Sequence, residues 1–136
     1  MKTHLISGGC GFVGRNMVKR LYKNTTDRIL FIDNLSVGKH PSVWLGIPLK
    51  KTVNELEIYG EDERLCFIKE DFRVTLNKLV HQPSYLKNDL GLNIEKFTDV
   101  YHFAAIVGGR AMIDGDPIQV ARFIYRCRVL FLGEPS

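Results

Sequence analysis

Ser7-Gly8-Gly9-Cys10-Gly11-Phe12-Val13-Gly14 decides how the chain reads, because Gly8, Gly11 and Gly14 stand between a short apolar run and a helical pattern. Gly8 predicts a tight turn free of Cβ clash. Gly11 predicts backbone open to the close approach of a pyrophosphate, and Gly14 a helix seated tightly against the preceding strand. The N–H groups of the first helical turn lack intrahelical partners, so they point at such phosphates, aided by the positive end of the helix dipole.

Outward from this segment, Thr3 to Ser7 reads as a buried strand entering the turn. Phe12, Val13, Met17, Val18 and Leu21 recur at helical spacing between Arg15, Lys19, Arg20 and Lys23, and Asn24 closes the helix. Arg28 to Asp33 is a near-continuous apolar run, expected of a strand covered on both faces. Strand, helix and strand in about thirty residues make one βαβ unit. Asp33 ends that second strand about twenty residues past the glycines, where a carboxylate accepts hydrogen bonds from adenosine ribose hydroxyls. The same charge repels a 2′-phosphate, so the expected cofactor is NAD in preference to NADP, with Lys39 and His40 the nearby residues that would favour NADP.

Asn34 to Leu49 contains Gly38, Pro41, Gly46 and Pro48 and is expected to be loop, as is the polar stretch Lys50 to Glu63, with at most a weak helix. Leu65 to Phe72 reads as a third strand, Leu76 to His81 as a short helix, and Pro83 to Asn93 as a surface excursion. Asp99 to Ala105 reads as a fourth strand, followed by an N-cap and proline at Asp116-Pro117. The expected fold class is α/β: a Rossmann-type, doubly wound parallel sheet of order 3-2-1-4, truncated after about four strands. Residues 1–136 form one domain in this reading, with 122–136 an atypical tail.

The totals agree with a single globular domain: 136 residues, 45% hydrophobic and 25% charged, enough for a real core and unlike a disordered chain. The net charge of +4 is scattered, and even Arg122, Arg126 and Arg128 are interleaved with apolar residues, so no nucleic-acid partner is expected. Cys10, Cys66 and Cys127 show no metal spacing, and without an export signal they point to reduced thiols in the cytoplasm. No membrane span is expected, since the apolar stretch after Arg122 is short and charged.

Together, Ser7 to Gly14, Asp33-Asn34-Leu35-Ser36 and His102-Phe103-Ala104-Ala105 resemble the extended short-chain dehydrogenases/reductases, which include the NAD-dependent sugar-nucleotide epimerases and dehydratases. The resemblance covers most of residues 1–121. It implies that Gly8, Gly11, Phe12 and Val13 line the pyrophosphate, with Gly14 packing beneath them. It implies also that Asp33 and Asn34 hold the ribose, that Asp71 and Phe72 flank the adenine, and that Ala104 and Ala105 pass under the nicotinamide ribose. Gly108, Gly109 and Arg110 resemble a loop that borders a nucleotide-sugar substrate in members acting on GDP-sugars.

That family's chemistry uses a tyrosine with lysine four residues later, the lysine lowering the tyrosine's pKa for proton exchange. None of Tyr22, Tyr59, Tyr85, Tyr101 or Tyr125 is followed by such a lysine. No catalytic residue and no metal ligand is therefore assigned. The expectation is a cofactor-binding part whose chemistry resides in sequence not present here, the tail departing from the ancestral pattern and the incomplete sheet favouring self-association. The alternative is a non-catalytic NAD-binding sensor or interaction module.

Overall fold

A computed structural model describes residues 2–82, 84–94 and 96–103 of the chain. The elements are β1 (Thr3–Ser7), α1 (Phe12–Asn24), β2 (Arg28–Asp33), α2 (Pro41–Trp44), β3 (Leu49–Val53), β4 (Leu56–Tyr59), β5 (Leu65–Lys69), α3 (Phe72–His81), α4 (Tyr85–Asn88) and β6 (Asp99–His102). The fold is α/β, with a six-stranded sheet ordered β3-β4-β5-β2-β1-β6. Pairings β5·β2, β2·β1 and β1·β6 are parallel, and β3·β4 and β4·β5 antiparallel.

The central strands are buried because alternate side chains enter separate cores. Leu30 and Ile32 of β2 join Leu5, Cys66 and Ile68 under Phe72, Leu76 and Leu79 of α3. Ile29 and Phe31 join Ile6, Leu65 and Phe67 on the opposite face, under Val18 and the partly buried Leu21 of α1. Helix α1 ends where the backbone N–H and hydroxyl of Thr25 both donate to the Leu21 carbonyl, at 3.0 and 2.7 Å. At this same end of the sheet His4, 5% exposed, sits between carboxylates, Nε2 2.9 Å from Asp27 and Nδ1 3.2 Å from Asp99.

The order of the parallel strands is the expected one, but the sheet has two strands more than the sequence suggested. Lys50 to Glu63 is not loop: most of it forms β3 and β4, joined by a two-residue turn pairing Val53 with Leu56. Asn54 takes φ 54 in that turn, a left-handed conformation asparagine tolerates. Strand β3 escapes recognition because it is an edge strand: Leu49 to Thr52 are all exposed, and lysines on an edge disfavour further pairing. Nor are the described residues of the Pro83 to Asn93 stretch, 84–93, a surface excursion, since Tyr85, Leu86, Leu90 and Leu92 are buried in the α3-side core. Their irregular spacing hides that burial. The third strand stops at Lys69, because Asp71 caps α3 and Phe72 opens it. The fourth stops at His102; Asp116-Pro117 and the tail 122–136 lie outside the described residues.

Two networks of polar side chains tie neighbouring elements together. Lys78 Nζ donates to Glu70 at 2.7 Å and to Glu55 at 3.4 Å, Thr75 Oγ1 donates to Glu70 at 2.7 Å, and the Tyr85 hydroxyl donates to Glu55. Arg64 donates to Asp62 at 2.9 Å and to the carbonyls of Thr25 and Asp27, its guanidinium over the Tyr22 ring. Burial alone would raise the Glu55 and Asp62 carboxyls, but Tyr85 with Lys78, and Arg64 with Tyr22, hold both below the usual carboxylate range. A lowered folded-state value means that the unfolded chain binds more protons, so this stabilisation is present at neutral pH and is lost as pH falls below about 5. We expect the melting temperature to drop on acidification, and less steeply in Lys78→Met. Parallel pH profiles for the two proteins would remove Lys78 from the account.

Candidate functional site

Open α/β sheets bind ligands beyond the carboxyl ends of their strands, where the strand order reverses. Here the reversal falls at β1, which has β2 and β5 on one side and β6 on the other. The glycine segment leaves β1 at that point.

Gly8 takes φ 69, the conformation its place in the turn demands. The Gly8 and Gly9 amides both donate to the Ile32 carbonyl, at 2.8 and 3.2 Å, and the Gly11 amide donates to the Gly8 carbonyl. These amides face the protein. The donors left over lie further on: Gly11 is the N-cap of α1, no side chain among the described residues caps the helix, and Phe12 and Val13 follow, 72% and 52% exposed. The backbone N–H groups without intrahelical partners therefore belong to the first turn of α1, reached over Gly11.

Three glycines in this region are required by close packing. A Cβ on Gly14 would stand 2.1 Å from the Gly8 carbonyl oxygen, one on Gly9 2.6 Å from Phe31 Cβ, and one on Gly38 2.6 Å from the Cys10 backbone. Gly14 was legible in the sequence as a packing glycine. Gly9 and Gly38 were not, since the first looked like part of a turn and the second like a loop breaker. Cys10 itself is 1% exposed; burial, then the charges of Asp33 and Glu57, push its thiol well above the ordinary value. It packs and does not react.

Asp33 is half-buried at the end of β2 and faces the glycine turn. Its Oδ2 accepts the Cys10 N–H at 3.0 Å and its Oδ1 the Leu35 N–H at 2.8 Å. A carboxylate has about four acceptor positions, so two remain for a ligand's hydroxyls. The Asn34 Oδ1 accepts the Ser36 N–H at 3.0 Å, which holds the start of the following loop.

The end of β5 lies beside that of β2, with the Glu70 N–H donating to the Asp33 carbonyl at 3.2 Å. Asp71 therefore belongs to the same edge, but its carboxylate caps α3 through the Arg73 N–H and also binds the Arg73 guanidinium. Those bonds hold its carboxyl below the usual range against the opposing effect of burial. Phe72 is 8% exposed, its ring centroid 4.6 Å from that of His102. His102 lies 2.6 Å from the Ser7 hydroxyl, and burial pushes its pKa down, favouring the neutral ring. Ala104, Ala105, Gly108, Gly109 and Arg110 lie outside the described residues. Among the described residues no His, Cys, Asp and Glu cluster is suited to a metal, and no helix is long and apolar enough to cross a membrane.

No protein-family model matches the sequence, and no curated protein matches it.

Proposed function

We propose that this chain binds NAD on a Rossmann-type, doubly wound sheet, as the cofactor-holding part of a protein similar to the sugar-nucleotide epimerases and dehydratases. The carrying observation is the link between the Asp33 carboxylate and the Cys10 N–H, which sets an acceptor for ribose hydroxyls beside an uncapped helix start. Diphosphate needs the donors and ribose needs the acceptor; one short segment supplies both.

His40 supports NAD over NADP. Both of its ring nitrogens are occupied, Nε2 2.8 Å from Glu57 Oε1 and Nδ1 2.8 Å from Ser42 Oγ, so the ring is not free to receive a 2′-phosphate. The Asp33 charge disfavours that phosphate as well. The described elements hold a dinucleotide in this reading, and a sugar-nucleotide substrate belongs to the same proposal through Gly108, Gly109 and Arg110. With no Tyr-x-x-x-Lys pair in its 136 residues, the chain on its own is proposed to bind without turnover.

Trp44, the single tryptophan, packs against Phe31 at 6.0 Å between ring centroids and reports on the loop after β2. Titration with NAD should change its fluorescence saturably, while NADP binds at least about tenfold more weakly. Equal affinities, or no response in either fluorescence or calorimetry, would remove the reading.

A further inference from the structure

This inference rests on the dinucleotide reading and adds a residue to it. We propose that His40 is a positioning residue: its Nε2–H, bound to Glu57, straps residues 34–40 onto the glycine turn and holds the adenosine half of the site in shape.

The strap is anchored at both ends. At its start, Asp33 Oδ1 holds the Leu35 N–H at 2.8 Å, and Leu35 takes φ 63, which a leucine keeps only when its surroundings impose it. In its middle, Gly38 presses on Cys10, close enough that an added Cβ would lie 2.6 Å from that residue's carbonyl carbon and oxygen. At its end the His40 ring turns toward the sheet, edge-on to Phe67 at 5.8 Å, with Nε2 2.8 Å from Glu57 Oε1 on β4. Glu57 also accepts from the Tyr59 hydroxyl, which fixes the carboxylate. The Trp44 indole N–H donates to the Lys39 carbonyl at 2.8 Å and closes the outer side. Because the Cys10 N–H is bound to Asp33, pressure on Cys10 acts on the group that would grip the ribose.

The two ring nitrogens of His40 have separable roles. Nδ1 accepts the Ser42 N–H at 3.2 Å and caps α2. With its lone pair used there, the pattern assigns the ring proton to Nε2, which donates to Glu57. In His40→Asn the amide oxygen stands near the Nδ1 position, keeping the cap and losing Glu57. In His40→Gln the amide nitrogen reaches the Nε2 position, keeping Glu57 and losing the cap.

The test is calorimetric titration of the full chain and both variants with NAD, with amide hydrogen exchange at Cys10 and Leu35 in the ligand-free proteins. His40→Gln should bind within about twofold of the parent, and His40→Asn about tenfold more weakly, as the fraction of chains with a formed site falls to about a tenth. Exchange at Cys10 and Leu35 should accelerate only in His40→Asn. Equal affinity in the two variants, or weaker binding by His40→Gln than by His40→Asn, overturns the strap and leaves His40 as a helix cap. If the parent chain fails to bind NAD, the dinucleotide reading falls separately. Exchange then decides: faster Cys10 and Leu35 exchange confined to His40→Asn sustains the strap, and unchanged protection there overturns it.

Discussion

Gly14→Ala should lose about 3 kcal/mol of stability or more, the upper end for a side chain forced into a close-packed site. The added Cβ would lie 2.1 Å from the Gly8 carbonyl oxygen and 2.8 Å from Gly9 Cα, both of them backbone atoms. No rotamer relieves a clash between a Cβ and main chain, so α1 must move off β1 or the turn must open. Gly8 cannot yield freely, because its amide and that of Gly9 are bound to the Ile32 carbonyl of β2. Alanine gains about 1 kcal/mol of helix propensity over glycine, too little to offset the clash. The melting temperature of Gly14→Ala should fall by roughly 10 °C or more, while Lys19→Ala, on the exposed face of the same helix, should leave it nearly unchanged. A Gly14→Ala melting temperature within about 2 °C of the parent would mean that α1 does not sit on the turn as described.

Asp33→Ala should weaken NAD binding by about a hundredfold, a loss of about 2.7 kcal/mol. Hydrogen bonds to a charged group contribute about 1.5–3 kcal/mol each, and the carboxylate has acceptor capacity left for ribose after binding Cys10 and Leu35. Part of the loss comes from the turn itself, since removing the carboxylate leaves those amides without their acceptor. Asp33→Asn separates the contributions. Its one oxygen retains one of the amides while its NH2 meets the other donor head-on, so its affinity should lie between the parent and Asp33→Ala. NADP should gain on NAD in both variants, because the charge opposing a 2′-phosphate is gone. Unchanged NAD affinity in Asp33→Ala would sink the cofactor assignment.

The β1–α1–β2 unit is legible in the sequence. Strand, glycine turn, helix and strand run from Thr3 to Asp33 at nearly the expected bounds, since periodicity and glycine conformation are local properties. The hairpin of β3 and β4 could not be read that way. Lys50, Lys51 and Thr52 are exposed on an edge and carry no alternating apolar signal, and the pairing of Val53 with Leu56 is decided by β5 beside it. The 83–93 segment misled for the opposite reason: its polar residues are numerous, while its few leucines and Tyr85 are the ones that reach the core.

From its residues alone, the chain determines a parallel βαβ start, a turn opened by a glycine at position 8, and an acidic side chain at the end of β2. Tertiary structure decides what those groups touch. Gly8 and Gly9 direct their amides into the protein, leaving the start of α1 open; Asp33 ties Cys10 to Leu35; and His40 reaches Glu57 rather than solvent. Backbone preference operates within a few residues and leaves its mark on the sequence, whereas a hydrogen bond between residues 10 and 33, or 40 and 57, exists only once the sheet has brought distant strands side by side.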